Sequence, residues 1–149
     1  MILQNSKYPV REVILHTAAT PGNWWKGKSV DQMVKEIDGW HRQRGFNGIG
    51  YHRVFAPDGS MGVGRSIYTM GAHVKERNRG TVGLCMIPIE THKGIKTFDD
   101  YFTDAQRRAV RSYIADLAKL TEIKWVTGHN DYANKECPGF KVVSSEWLP

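Results

Sequence analysis

Two short runs of branched and apolar residues, EVILHT at 12–17 and TVGLCMI at 81–87, constrain this chain more than any other feature. Each is too short for a helix and rich in residues suited to a pleated backbone, so each reads as a strand. The second run is apolar on both of its alternating faces, which predicts a central position in a sheet. Residues 51–56 and 61–64 read as two further strands joined by the turn Pro57-Asp58-Gly59, and 124–127 as a last one. Helical periodicity separates these runs. Ser29, with Gln32 three residues on, gives a capping-box pattern before the apolar stripe Val30, Met33, Val34, Ile37 and Trp40, and Gly45 marks the stop. Thr103 and Gln106 repeat the cap before Ala109, Val110, Tyr113, Ile114, Leu117 and Ala118. Alternation of this kind predicts an α/β fold: a single domain over residues 1–149, with a central mixed β-sheet flanked by helices and a core at about 12–140.

Composition narrows the function classes. No apolar stretch approaches the roughly 18 residues that a membrane-spanning helix requires, and the first residues lack the basic start and apolar run of a secretion signal. The expectation is a chain made in the cytoplasm, with no membrane partner. Two cysteines, Cys85 and Cys137, are few for a disulfide-stapled scaffold. Cys85 falls inside the central strand, where a thiol serves as a small buried hydrophobe. The net charge of +6 favours anionic partners. Its tightest cluster, Arg107, Arg108 and Arg111, falls on the second long helix as a solvated face. No zinc-finger spacing, RNA-binding motif or phosphate loop is present, so no direct nucleic-acid contact is expected. Residues 1–9 read as a polar tail with no core role.

The segment GHNDYANKECPGF at 128–140 concentrates the chemistry. It holds His129, Lys135 and Cys137, and imidazole and thiolate are both good zinc ligands. Two ligands do not complete a site. His16, at the end of the strand 12–17, is the best third. His16 and His129 both fall at the C-terminal ends of predicted strands, the edge at which open α/β sheets bind ligands. If those strands are neighbours, the loop after His129 can fold back to bring Cys137 to the same point. Three protein ligands leave a fourth position for water, the arrangement of a catalytic zinc. His41 and His92 read as structural or solvated. Strand alternation turns His52 away from whatever Tyr51 faces, and His73 stays open.

These residues, in order, resemble a known family. The strand ending in His16-Thr17-Ala18 is followed by Trp40-His41, Gly50-Tyr51-His52, Asp58-Gly59 and Gly64-Arg65. Then come Gly71-Ala72-His73, Asn78 with Thr81-Val82-Gly83, and finally Gly128-His129 with Lys135 and Cys137-Pro138-Gly139-Phe140. The set resembles the type 2 N-acetylmuramoyl-L-alanine amidases, whose zinc-dependent fold is shared with peptidoglycan-recognition proteins. Within them it is most similar to the short single-domain amidase endolysins of phages. The resemblance covers about residues 12–140 and departs at two points: Cys137 stands where many members carry aspartate, and a proline near Asn134 is missing.

The resemblance implies one Zn²⁺ per chain, bound by His16, His129 and Cys137, with Tyr51 and Lys135 as catalytic residues. The substrate it implies is peptidoglycan, cut at the amide between N-acetylmuramic acid and L-alanine. His73, Asn78, Trp24 and Trp25 are expected to line the groove for glycan and stem peptide. Such an enzyme, a monomer, would be made in the host cytoplasm and reach the periplasmic wall through a separate pore. Two other readings accompany it: a peptidoglycan-binding module without catalysis, and a bifunctional amidase that also binds and inhibits a phage RNA polymerase.

Overall fold

A computed structural model describes residues 1–149. The chain runs β1 (Leu3–Gln4), β2 (Tyr8–Pro9), β3 (Glu12–Thr17), α1 (Val30–Gln43), β4 (Arg53–Phe55), β5 (Met61–Val63), β6 (Thr81–Met86), α2 (Phe98–Tyr101), α3 (Asp104–Leu120) and β7 (Trp125–Gly128). Two 3₁₀ turns follow, His129–Asp131 and Ser144–Glu146. Five strands form a mixed sheet in the order β5-β4-β6-β3-β7. β4, β6, β3 and β7 run parallel, and β5 returns antiparallel at the edge. Every residue of β6 is buried, as its unbroken apolar run predicts, because β4 and β3 flank it and both of its faces are covered.

The two faces carry separate cores. Val13 and Leu15 of β3 and Val82, Leu84 and Met86 of β6 pack with Val110, Ile114 and Leu117 of α3. The alternate residues Cys85 and Ile87 pack with Val54, Ala56 and the α1 residues Met33 and Ile37. The two helices therefore cover opposite faces of one sheet. α1 starts at Ser29, whose side chain accepts from the Gln32 N–H at 3.2 Å, and it is followed by Gly45 at φ +92°. A side chain at Gly45 would be strained in that backbone. At the head of α3, Thr103 and Gln106 form the full reciprocal box. Gln106 is also buried, and its amide donates to Phe55 O (3.1 Å) and Ile87 O (2.7 Å), tying the helix to the sheet. The arginine cluster is partly paired: Arg107 with Asp99 at 2.9 Å and Arg108 with Asp104. No helix is long and apolar enough to cross a membrane.

Three expectations are corrected. Strand β4 begins at Arg53 rather than Tyr51, because Gly50 O and Tyr51 O accept from Ala72 N and Arg65 N of the following loops. The core reaches beyond 12–140, taking in Ile2, Val10, Val142 and Trp147. Residues 1–9 are not a loose tail. They form the β1–β2 hairpin, with Ile2 only 2% exposed. Gln4 is fully buried, donating to Thr81 O at 2.8 Å and accepting from Gly80 N at 2.9 Å. Ile2→Ala should therefore cost about 2–4 kcal/mol, read as a lower midpoint in urea; an unchanged midpoint would return the segment to a dispensable tail.

All six histidines sit below their ordinary pKa, with burial the leading cause for each. His52 is pushed down to about 4. The unfolded chain binds more protons than the fold between about pH 6.5 and these lowered values, so stability is fully present above 6.5 and lost as pH falls through that window. Thermal melts of the metal-free protein should show the melting temperature dropping steeply from pH 7 to pH 4.5; a flat profile would contradict the neutral, buried histidines.

Candidate metal centre and active-site cleft

The parallel pairing of β3 with β7 sets the site. Its register places Leu15 opposite Gly128, so His16 and His129 follow side by side at the C-terminal edge, their ring centroids 4.8 Å apart. The chain then loops out and is closed by Asn130 N–H donating to Cys137 O at 2.8 Å. That closure returns Cys137 to β3, where its Sγ accepts from Thr17 N–H at 3.3 Å and lies 3.8 Å from His16 Nδ1. One donor atom from each of His16, His129 and Cys137 falls within 4.8 Å of the other two. Ligand atoms around a tetrahedral zinc stand about 3.3–3.8 Å apart, so the arrangement fits with small side-chain rotations.

The protonation states suit the same cation. Burial first, then the neighbouring His73 and His129, hold His16 well below 6.5, and burial with Lys135 lowers His129. Both are neutral imidazoles, the form that binds a metal. Burial raises the Cys137 thiol to about 11, against the Thr17 N–H and Lys135, which pull it down. A half-buried thiol between neutral imidazoles is a donor set that a divalent cation completes by displacing the thiol proton.

A cleft of about 760 Å³ opens beside these residues, lined among others by Arg44, Tyr51, His73, Asn78, His129 and Lys135. The Tyr51 ring lies 5.1 Å from His16 and 5.4 Å from His41. Burial above all, with Cys85 and Cys137 nearby, lifts the Tyr51 hydroxyl well above 10, so it stays protonated and is a donor. Lys135 is exposed at the cleft on the loop between His129 and Cys137. His73 and Asn78 reach the cleft wall but are turned inward. His73 Nδ1 is 2.8 Å from His16 Nε2, and Asn78 Oδ1 accepts from His73 N (2.8 Å) and Val74 N (2.9 Å). Trp24 and Trp25 do not line the cleft. They pack on the α1-side core, with Trp24 5.3 Å from Trp40 and Lys28 4.1 Å over its ring.

His41 and His92, read from the sequence as structural or solvated, make specific supporting contacts. His41 accepts from Gly50 N–H at 2.9 Å and backs Tyr51. His92 is 2.9 Å from Thr17 Oγ1 and stacks on Tyr101 at 3.9 Å, while a Cβ on Gly139 would meet its ring at 2.4 Å. The turn after Cys137 thus rests on His92. Buried Glu12 accepts from Thr127 Oγ1 (2.7 Å), Arg77 Nη2 (3.2 Å) and the Tyr132 hydroxyl. It thereby fastens the loop carrying Lys135 to two strands. No local signal marks that network, whose members are up to 120 positions apart.

Known proteins align with this geometry. Residues 6–140 match the N-acetylmuramoyl-L-alanine amidase family. The endolysin of Enterobacteria phage T3 is 36% identical over 130 residues, covering 87% of this chain and 81% of its own; that of Escherichia phage T7 is 35% identical with the same coverage. Among solved structures, Drosophila PGRP-LB superposes with a TM-score of 0.75 at 24% identity, over 89% of this chain and 76% of its own. An N-acetylmuramoyl-L-alanine amidase, LysC, from Clostridium intestinale gives 0.70 at 23%, over 89% and 78%. With the family match spanning nearly the whole chain and phage relatives above 30% identity, the chain belongs to the N-acetylmuramoyl-L-alanine amidases.

Proposed function

We propose that this amidase is a zinc-dependent endolysin that cuts peptidoglycan at the amide between N-acetylmuramic acid and L-alanine during phage or prophage lysis. The observation that carries this reading is the convergence of His16, His129 and Cys137 beside an open cleft. Three ligands at a cleft leave room for water and substrate, unlike a closed structural site. The similarity to phage endolysins supports the lytic role. Synthesis in the host cytoplasm and passage to the wall through a separate pore accord with that role, and the chain is taken to work as a monomer.

When bound, zinc supplies an activated water at neutral pH and polarises the scissile carbonyl. The protein does the rest. His16 and His129 donate neutral nitrogen lone pairs, and Cys137 donates a thiolate steadied by the Thr17 N–H. Tyr51 and Lys135 stand on the cleft side as hydrogen-bond donors toward the carbonyl oxygen as charge develops there. Lys135 has three N–H donors. Tyr51, kept protonated, is suited to donating rather than to taking the water's proton. Glu12 and Tyr132 hold the Lys135 loop, so that its charge is presented on a fixed frame.

The direct test is mass spectrometry of digested peptidoglycan. Released peptides should begin with free L-alanine; new reducing sugar ends would mean a glycosidase and end this reading. Lys135→Ala and Tyr51→Phe should each lose about 10²–10³ in rate while retaining metal by elemental analysis. Wild-type lysis by either variant would remove it from the catalytic set. Cys137→Ser should lose both metal and activity, and full zinc content with full activity there would overturn the ligand set.

A further inference from the structure

A buried chain of hydrogen bonds runs away from the metal centre, and its proton count is fixed at the far end. Thr81 Oγ1 lies 3.1 Å from Arg77 O, 3.0 Å from Asn78 O and 3.1 Å from His73 Nε2. The two carbonyls can only accept, so the hydroxyl makes two bonds if it donates to a carbonyl and accepts from His73, but only one if it donates to His73. The better-satisfied arrangement has the hydroxyl accepting and His73 Nε2 carrying a hydrogen. A neutral His73 then has a bare Nδ1, which faces His16 Nε2 at 2.8 Å. His16 Nε2 must in turn carry its hydrogen. That leaves the lone pair of His16 on Nδ1, the atom 3.8 Å from Cys137 Sγ.

We propose that His73, held by Thr81, is a positioning residue for the metal centre: it sets the tautomer and ring angle of His16 so that Nδ1 faces the ion. This rests on the zinc reading above. Metal-bound histidines usually give their second N–H to a carbonyl or carboxylate; here a second imidazole takes that place, itself anchored to β6. The surroundings are built for the ring. A Cβ at Gly83 of β6 would lie 2.6 Å from His73 Cγ, and one at Gly71 would lie 2.7 Å from His73 Cδ2. Only glycine at both positions lets the imidazole lie against the backbone. Asn78 Oδ1 fixes the loop by accepting the N–H groups of His73 and Val74. The residues Gly71, His73, Asn78, Thr81 and Gly83 thus form one support behind His16.

The test uses zinc affinity, by competition with a chromophoric chelator, and histidine ¹⁵N NMR of the zinc-loaded wild type. His73→Leu should bind zinc about 10- to 100-fold more weakly. His73→Asn, which returns an acceptor near the Nδ1 position, should recover most of that loss. In the wild type, His73 should show a protonated Nε2 and a bare Nδ1, and His16 a protonated Nε2. Undiminished zinc affinity in His73→Leu, or a proton on His73 Nδ1, would overturn the proposal while leaving the zinc site standing. A wild type that binds no zinc would overturn both. Should His73→Leu fail to fold, the wild-type tautomers decide alone.

Discussion

The register between β3 and β7 is the constraint on which the rest of this structure depends. Leu15 pairs with Gly128, and the two parallel strands end together. Because side chains alternate along a strand, a slip of one residue would turn His16 from the α1 side of the sheet to the α3 side and bury it in the wrong core. The apolar residues Val13 and Leu15, locked under α3, prevent that slip. Hydrophobic packing on one face thus fixes the position of a polar site on the other.

The polar interior follows from that choice. A sheet edge crowded with imidazoles stays stable only if every ring nitrogen has a partner and none is charged. Several of the rings are held by specific bonds. His52 Nδ1 accepts from Gly83 N–H at 3.0 Å and its Nε2 donates to Thr69 O at 2.9 Å, which fixes its tautomer without any part in the cleft. His41 accepts from Gly50, and His92 meets Thr17. These bonds tie loops to the sheet or to α1, so His41, His52 and His92 double as braces around the cleft. The cost is sensitivity to acid, since every brace requires a neutral ring.

Much of this was legible in the sequence, and the reasons are physical. β3, β6 and both long helices declared themselves through branched apolar runs, helical stripes and caps, because those patterns arise from local backbone preference and burial. The three donor residues stood out because two histidines fall at strand ends and the cysteine lies on the polar loop that follows one of them. Less was legible where tertiary contacts decide. The β1–β2 hairpin has two-residue strands and no alternation to read, and Ile2 is buried only because the hairpin folds against the core. Trp24 and Trp25 look like sugar-stacking residues in the sequence, yet both pack on the α1-side core, Trp24 between Trp40 and Lys28. The direction in which His73 points, and the bond from Tyr132 to Glu12, depend on loops that no local pattern fixes.

The proposed metal centre has two imidazoles, one thiolate and an open position. X-ray absorption at the zinc edge of the loaded protein reads that shell. The expected result is a four-coordinate shell of two histidine nitrogens, one sulfur at about 2.3 Å and one light atom that a small anion can displace. A shell without sulfur, or one filled by four protein donors that no anion displaces, would contradict it.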